Sequence, residues 1–464
     1  MAKLTFWGAA ETVTGSRHLL EIENQKILVD CGLFQGKKEN RLKNWDPFPV
    51  SPGEVDKILL THAHIDHTGY LPRFCRDGFS GQIHCTKSTH ALLDVLLKDS
   101  AHIQEEDAIW ANKKGFSKHK PALPLYTVAD VENTLELFSP IYYGDALALN
   151  NFTRIKFKDA GHILGSSFID LKTERNGSQR KIIFSGDLGR PDIPVLRDPT
   201  QAFNADYLVL ESTYGNRLHA GGDPFEDLAT VINQSVERGG VLVIPAFAVG
   251  RTQTLLYVIR ELEERGKIPP LSVFVDSPMA IDATKIFRKW ITDQDLTSRV
   301  KMVAGKKIFH PHQLHVCKSR EESKAIRKHK SQAIIISSSG MATAGRILHH
   351  LADRLPDKKN TILFIGYQAD GTRGRSILDG KSHIKIHGKK IPVNAHIENI
   401  SGYSGHADYN EILAWLLGFN RAPEKIFLVH GEPEASTALA IKIREAFGWN
   451  VVIPKYGESF EIDL

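Results

Sequence analysis

The sequence predicts a layered α/β fold with two packed units, and three observations indicate it. Its 464 residues exceed what one hydrophobic core ordinarily holds. Helical patterns such as THALLDVLLKDSAHIQEEDAIWA lie between short apolar runs typical of strands. Six of these runs end on an acid or a histidine, as expected where strands leave a sheet at a functional edge. They are KILVD at Asp30, KILLTHAH at His62 and His64, FKDAGH at His162, KIIFSGD at Asp187, YLVLE at Glu211 and KIFLVH at His430.

The middle of the chain repeats one strand–turn–helix pattern. The segments GGVLVIPAFAVGRTQTLLYVIREL and SQAIIISSSGMATAGRILHHL each contain an apolar strand, a turn of small residues and a helix. Parallel βαβ units have this order. We therefore expect a second α/β domain in this part of the chain.

Charge is divided unevenly along the chain. Residues 213–392 contain 29 Lys and Arg against 17 Asp and Glu, whereas the rest of the chain contains 30 against 37. The formal net charge of +5 therefore conceals a basic middle within an acidic frame. A segregated positive field of this kind favours a polyanionic partner.

No feature of the sequence is typical of a secreted or membrane protein. The N-terminus MAKLTFWGAA has no basic segment followed by a long apolar run, and no stretch is apolar for long enough to span a bilayer. The four cysteines lack CxxC spacing, so neither a disulfide framework nor a structural zinc knuckle is indicated. We expect a cytoplasmic protein with no membrane partner.

The stretch HAHIDH places four ionisable groups, His62, His64, Asp66 and His67, within six positions. In an extended segment His62 and His64 point to one side, and a turn directly afterwards carries Asp66 and His67 to a neighbouring position. Neutral imidazoles and carboxylates are good zinc ligands, and two alternating pairs suit two ions better than one. An isolated histidine would be an ordinary surface or core residue, but this cluster predicts a metal site.

HAHIDH resembles the signature of the metallo-β-lactamase fold, and further motifs resemble the ordered set of the β-CASP nucleases. These motifs are Asp30 in LVDCG, His162 in GHILGS, Asp187 in SGDLG, Glu211 in ESTYG, His406 in SGHADY and His430 in LVHGE. Within that group the chain is similar to the bacterial and archaeal relatives of the pre-mRNA 3′-end cleavage endonuclease. The resemblance covers nearly the whole chain.

The resemblance implies an α/β fold in which a metallo-β-lactamase αββα sandwich is interrupted by an inserted α/β β-CASP cap domain. The sandwich would comprise residues 1–212 and 393–464, and the cap residues 213–392. It also implies two zinc ions, with Mn²⁺ or Fe²⁺ as open alternatives. One ion would be bound by His62, His64 and His162, the other by Asp66, His67 and His430, and Asp187 would bridge them.

The resemblance further implies a ribonuclease with Asp30, Asp66, Glu211 and His406 as catalytic residues. Two ions can activate a shared water, and because water rather than the ribose 2′-OH attacks, cleavage should leave a 5′-phosphate and a 3′-OH. His406, paired with Glu211, is the candidate acid for the departing oxygen. Asp30 would orient a histidine or the water, although a strand-end carboxylate that only caps local amides is the alternative.

Binding of the RNA is expected to depend on turns of small residues in the basic middle and on the residues before His406. Strand-to-helix turns present unpaired amides to an anion, although such turns also occur for packing alone. The candidates are Arg251, Ser339, Gly340, Met341, Arg346, Gly371, Thr372, Arg373, Arg375, Ser404 and Gly405. Cleavage is expected in a cleft between the two domains.

Three alternatives to a ribonuclease acting on single-stranded RNA stay open at the sequence level. A small-molecule ester or thioester hydrolase would share HxHxDH but would not require the SGHADY motif or a large basic insert. A DNA nuclease of the same group typically carries valine where this chain has His430, which favours RNA. A non-catalytic scaffold would be expected to lack ligands. Endonuclease action alone or with 5′–3′ exonuclease action, and a homodimer, are also left open.

Overall fold

The computed structural model describes residues 1–115, 119–175, 177–219, 221–294, 307–369 and 371–464. The chain divides into two compact units. The first comprises Met1–Pro191, Arg197–Leu218 and His406–Leu464, and the second comprises Asp192–Leu196 and His219–Gly405. The predicted domain bounds, 1–212, 213–392 and 393–464, stay a prediction.

The first unit contains two mixed β-sheets. The first sheet has the order β21-β1-β2-β3-β4-β5, with β1 (Ala2–Phe6), β2 (His18–Ile22), β3 (Gln25–Val29), β4 (Lys57–Leu59), β5 (Gln82–His84) and β21 (Ser459–Ile462). The second has the order β20-β19-β10-β9-β8-β7-β6, with β6 (Ala146–Ala148), β7 (Thr153–Asp159), β8 (Ser167–Arg175), β9 (Ser178–Phe184), β10 (Tyr207–Glu211), β19 (Lys425–Val429) and β20 (Val451–Val452).

In each sheet the functional strands pair in parallel. Strand β3 pairs in parallel with β4, and β9, β10 and β19 form a second parallel set. The carboxyl ends of parallel strands meet at one edge of a sheet. The residues that follow β3 and β4, and those that end or follow β9, β10 and β19, are the ones that the sequence singled out.

The two sheets face each other across one apolar core. In β10, Tyr207 and Val209 belong to this core, as does Phe427 of β19. The alternate residues Leu208 and Leu210 pack instead with two helices on the outer side of the second sheet. This period of two residues is what a strand buried on both faces requires.

Helices complete the four-layered αββα arrangement of the first unit. Leu28 and Ile58, on the outer face of the first sheet, are also fully buried. The helices are α1 (Lys38–Leu42), α2 (Ile65–Thr68), α3 (Leu71–Arg76), α4 (Lys87–Lys114), α5 (Val128–Leu135), α12 (Tyr409–Leu416) and α13 (Pro433–Phe447), with a 3₁₀ turn at Pro52–Glu54. The helices on the second sheet are α12 and α13.

The second unit is built on one all-parallel sheet of order β13-β12-β14-β11-β15-β18. Its strands and the separate hairpin are β11 (Val241–Pro245), β12 (Ser272–Asp276), β13 (Gln313–Val316), β14 (Ala333–Ser337), β15 (Thr361–Ile365), β18 (His396–Ile400), β16 (His383–Ile386) and β17 (Lys389–Pro392). The prediction of a second α/β domain is confirmed.

Its helices follow the strands, as the two repeated sequence patterns predicted. They are α6 (Pro224–Glu237), α7 (Arg251–Glu264), α8 (Pro278–Lys289), α9 (Arg320–Ala325), α10 (Ile347–Arg354) and α11 (Arg373–Leu378), with 3₁₀ turns at Ile291–Asp293, Ile326–Lys328 and Ser401–Tyr403. No helix among the described residues of either unit is long and apolar enough to cross a membrane.

Replacing Phe427 by Ala should lower the free energy of unfolding by about 3–5 kcal/mol, because a buried aromatic leaves a cavity that its neighbours fill only partly. The Phe427 ring is fully buried, with centroids 5.3 Å from Phe6 and 5.0 Å from Phe460. Denaturant unfolding measures the change. The matched control is Leu417→Ala, which removes a side chain that is 71% exposed and should change stability by less than about 0.5 kcal/mol. Equal losses in both variants would contradict the assignment of Phe427 to the core.

Candidate metal centre

The HAHIDH stretch connects strand β4 to helix α2. Strand β4 ends at Leu59, and α2 begins at Ile65 with His64 as its N-cap residue in an extended conformation. His62 therefore lies in the segment before the helix, whereas Asp66 and His67 lie within the single turn of α2. His62 and His67 are buried, so the local fold brings ionisable groups into the unit rather than to solvent.

Three imidazoles and one carboxylate form the first donor group, which consists of His62, His64, His162 and Asp187. His64 Nδ1 lies 3.1 Å from His62 Nε2 and 3.2 Å from His162 Nε2. Asp187 Oδ2 lies 3.3 Å from His62 Nε2 and 3.4 Å from His162 Nε2. All four donor atoms therefore converge on one small volume.

The second donor group consists of Asp66, His67 and His430. His430 Nε2 lies 3.5 Å from Asp66 Oδ2. The other oxygen of Asp187, Oδ1, lies 3.2 Å from His67 Nε2 and 3.4 Å from His430 Nδ1. Asp187 therefore presents one oxygen to each group, as a bridging ligand would.

Both groups fit a pair of transition-metal ions. For a tetrahedral zinc ion with bonds of about 2.0–2.1 Å, neighbouring ligand atoms are separated by about 3.3 Å, close to the separations within the first group. Asp187 Oδ1 and His430 Nε2 are buried and have ion-pair neighbours, but no hydrogen bond of good geometry reaches either atom from the described residues. Buried polar atoms normally have one. These two atoms are therefore placed as metal ligands would be.

The pKa values within the centre separate the histidines into two kinds. Burial and the nearby His62 lower the pKa of His64 to about 3, and burial lowers the pKa of His62 as well. Both rings are thus neutral and able to donate a lone pair. Burial alone would lower the pKa of His67, but Asp187 and Asp30 raise it well above the ordinary value. The raised pKa means that His67 carries an additional proton between Asp187 and Asp30. A metal ion would neutralise the same carboxylates, and its binding would release this proton.

Asp30 orients His67. Its Oδ2 lies 2.7 Å from His67 Nδ1, and its Oδ1 accepts a hydrogen bond of 2.8 Å from the Thr61 amide. The Thr61 hydroxyl donates to Asp30 Oδ2 at 2.8 Å. With Nδ1–H directed at the carboxylate, His67 Nε2 is left to face Asp187. The backbone of Asp30 adopts φ 58°, a left-handed conformation that is rare for a residue with a side chain.

Thr213 orients His430 in a comparable way. Its hydroxyl donates to the His430 carbonyl oxygen at 3.0 Å and lies 3.1 Å from His430 Nδ1. A hydroxyl that donates to the carbonyl can accept from Nδ1–H, which leaves Nε2 as the lone pair facing Asp66. Thr61 and Thr213 were not predicted from the sequence as supporting residues. The available signal was their position, directly before His62 and within ESTYG.

Glu211 and His406 form a pair beside the donor groups. His406 Nδ1 lies 3.0 Å from Glu211 Oε1 and 4.0 Å from Asp187 Oδ2. Glu211 is fully buried and accepts hydrogen bonds from the amides of Leu188 and Thr213, at 2.7 and 3.2 Å. Burial lowers the pKa of His406, but Glu211 and then Asp187 raise it to about 9. These two carboxylates favour the protonated imidazole, and its Nδ1 is directed at Glu211.

The candidate phosphate-binding residues all lie in the second unit. Three turns of small residues follow β11, β14 and β15, and they meet at the carboxyl ends of these strands. The Ala246 amide donates to Ser337 O at 3.0 Å, Gln368 Nε2 to Gly340 O at 3.1 Å, and the Gly374 amide to Met341 O at 3.1 Å. The structure thus brings together turns that are separate in the sequence.

Several of the predicted arginines in these turns have internal partners. Arg346 donates to Asp276 Oδ1 at 2.8 Å and to the carbonyls of Cys317 and Lys318. Arg373 donates to the carbonyls of Lys385 and Thr343. These guanidinium groups thus hold the turns in place, and a direct phosphate contact from them stays a prediction.

The remaining candidates differ in exposure and local role. Arg251 is buried at the start of α7, and Arg375 is exposed and paired with Asp379 at 2.8 Å. Thr372 caps α11, directly after Gly371, whose φ is 78°. Ser339, Gly340 and Met341 belong to the turn after β14, and Ser404 and Gly405 are buried at the end of the second unit. Their contacts with phosphate also stay predictions.

Comparison with known proteins places the chain in a family. The profile of the Metallo-beta-lactamase superfamily matches residues 14–143, the Beta-Casp domain matches residues 252–377, and the Zn-dependent metallo-hydrolase RNA specificity domain matches residues 390–454. The chain is 35% identical over 457 residues to "Ribonuclease TTHA0252" of Thermus thermophilus, covering 98% of this chain and 99% of that protein. The chain belongs to the β-CASP ribonuclease family of the metallo-β-lactamase superfamily.

Further relatives agree with this membership. The chain is 30% identical over 468 residues to "Transcription termination factor FttA" of Methanocaldococcus jannaschii, covering 97% of this chain and 70% of that protein. A crystal structure of a protein of unknown function from Enterococcus faecalis V583 shares the fold, with a TM-score of 0.54 and 14% identity over 99% of both chains. The predicted family and fold class are confirmed.

Replacing Asp30 by Asn should weaken metal binding about 10- to 100-fold without removing a ligand, since the partner that orients His67 is lost. Competition with a chelator, followed by elemental analysis, measures the change. The matched control is Asp46→Asn, an exposed aspartate of the same unit, which should bind metal as the parent does. Parental affinity in Asp30→Asn would show that the carboxylate only caps the Thr61 amide.

Proposed function

We propose that this protein is a ribonuclease that uses two divalent metal ions, zinc in the first instance, to hydrolyse phosphodiester bonds of single-stranded RNA. The observation that carries the proposal is the joint arrangement of two donor groups that share Asp187, with the Glu211–His406 pair beside them. The Thermus relative is named a ribonuclease, and one matching domain is described as an RNA specificity domain. RNA is therefore the proposed substrate class.

Each ligand residue has a defined part in this proposal. His62, His64 and His162 would hold one ion, and Asp66, His67 and His430 the other. Asp187 would bridge them because its two oxygens face different groups. When bound, two such ions lower the pKa of a water molecule and neutralise the negative charge that develops on the phosphate.

His406 is proposed as the acid that protonates the departing 3′-oxygen. The Nδ1–H of His406 is directed at the carboxylate of Glu211, so the proton of His406 that can be transferred is the one on Nε2. The carboxylate of Glu211 cannot rotate away because two backbone amides hold its oxygens. The products expected from water attack are a 5′-phosphate and a 3′-OH.

Product mapping tests the proposed function. Metal-loaded protein should cut 5′-labelled single-stranded RNA and leave 3′-OH ends on the labelled fragments and 5′-phosphates on the others. Sequence-matched DNA should be cut far more slowly. Internal fragments at early times would indicate endonuclease action, and mononucleotides released from a 5′ end would add exonuclease action. Cleavage of DNA in preference to RNA, or of neither, would refute the proposal.

Replacing His406 by Ala should reduce the rate of RNA cleavage by about 10²- to 10⁴-fold, the usual contribution of a general acid. Metal content should stay parental because no ligand is removed. Single-turnover cleavage and elemental analysis of the same preparation measure both quantities. His102→Ala, which removes an exposed histidine of α4, is the matched control and should cleave normally. Loss of metal from His406→Ala would make His406 a ligand instead of the acid.

A further inference from the structure

The first unit carries a basic loop that lies outside the sequence motifs of the metal centre. Residues 1–212 and 393–464 are acidic overall, with 30 Lys and Arg against 37 Asp and Glu. Within them the loop 36–45, GKKENRLKNW, which contains the short helix α1, has four basic residues, Lys37, Lys38, Arg41 and Lys43, against one acid. Of these, Lys37, Lys38 and Arg41 are exposed. The loop is therefore a local positive patch on an acidic body.

Hydrogen bonds fix the base of this basic loop. The side chain of Asn44 accepts from the Phe34 amide at 2.9 Å and donates to the Phe34 carbonyl oxygen at 2.8 Å. Thr14 donates to Leu33 O at 3.1 Å and accepts from the Gln35 amide at 2.8 Å. Asn44 is itself 5% exposed. The loop thus presents its charges from a fixed base, which reduces the entropy lost on binding a ligand.

The base of the basic loop is bonded directly to the segment that carries the metal ligands. The Leu33 amide donates to Ile65 O at 2.9 Å, and the Cys31 amide donates to His67 O at 2.8 Å. Ile65 lies between His64 and Asp66 in the chain. A ligand bound to the loop would therefore lie next to the metal centre within the same unit.

Aromatic rings accompany the charges. Trp45 closes the basic loop and is 51% exposed, and Tyr456, from the C-terminal part of the unit, is 45% exposed. Lys43 Nζ lies 4.7 Å from the centre of the Tyr456 ring, a cation–π contact that joins the two elements. Basic groups that track a backbone, together with exposed rings on which bases stack, are the features of single-stranded nucleic-acid sites.

We propose that the basic loop 36–45, with Tyr456, is an RNA-binding site on the metal-bearing unit, and that it holds the strand beside the phosphate to be cut. The inference rests on the proposed ribonuclease function. Lys38 and Arg41 contact backbone phosphates, and Trp45 stacks on a base. An acidic protein partner would use the charges but would not require an exposed Trp45 next to a hydrolytic centre.

The first test removes charge. The double variant Lys38→Ala/Arg41→Ala should bind single-stranded RNA more weakly, with the slope of log affinity against log salt concentration reduced by about 1.4, since each phosphate contact with a single strand contributes about 0.7. Binding is measured without catalytic metal at several salt concentrations. The matched control is Lys98→Ala/Lys113→Ala, which removes two positive charges from α4 of the same unit. Metal content and melting temperature confirm that each variant is folded.

The second test removes the ring. Trp45→Ala should weaken RNA binding by about 5- to 150-fold, the range for loss of one stacked base, whereas Trp45→Phe should retain most of the affinity. Tryptophan fluorescence of the parent should be quenched by RNA, and the quenching should be reduced in Trp45→Ala.

The outcomes separate this proposal from the proposed function. Parental affinity and salt slope in Lys38→Ala/Arg41→Ala, with normal RNA cleavage, would overturn the binding site and leave the ribonuclease intact. An equal fall in the α4 control would overturn it too, because general charge would then explain the effect. RNA binding that depends on the loop, in a protein that cuts no RNA, would support the binding site and refute the ribonuclease.

Discussion

The carboxylate of Asp187 is the constraint on which the rest of the centre depends. It is 2% exposed, and five imidazoles, of His62, His67, His162, His406 and His430, have a ring nitrogen within 3.2 to 4.0 Å of its oxygens. A buried carboxylate without compensating charge is costly. The surrounding histidines lower the pKa of Asp187 well below its ordinary value, although burial acts in the other direction. The site therefore requires positive charge, from protons or from metal ions.

The sheets of the sandwich bring these side chains together. The parallel pairing of β9, β10 and β19 places Asp187, Glu211 and His430 at the same sheet edge, although more than 200 residues separate the first from the last. The core between the sheets keeps both edges in register. The left-handed conformations of Asp30, at φ 58°, and His430, at φ 50°, are held by the same packing. Such conformations cost of order 1–3 kcal/mol each and are found mostly at functional sites.

The second unit shows a different use of charge. Asp276, fully buried at the end of β12, accepts from Arg346 and Ser323 and lies 2.7 Å from His350 Nε2. A network of this kind holds the turn after β14 rigidly, because removal of any one partner would leave a buried charge unpaired. Part of the basic excess of residues 213–392 is thus internal. Exposed charge is therefore a better guide to a polyanion site than the count along the chain.

The sequence by itself indicated the family and the candidate site residues through the resemblance of its motifs, and the layered α/β class through the period of its apolar runs. HAHIDH and the six apolar runs that lead to acids and histidines were visible without coordinates. The resemblance already implied that Asp187 bridges the two donor groups and that Asp30 orients a histidine. Only the tertiary structure decided that this histidine is His67, that Thr213 contacts His430, and that Arg346 turns inward to Asp276. These depend on side-chain direction and on contacts across hundreds of residues, which the fold sets through sheet register and burial rather than through local pattern.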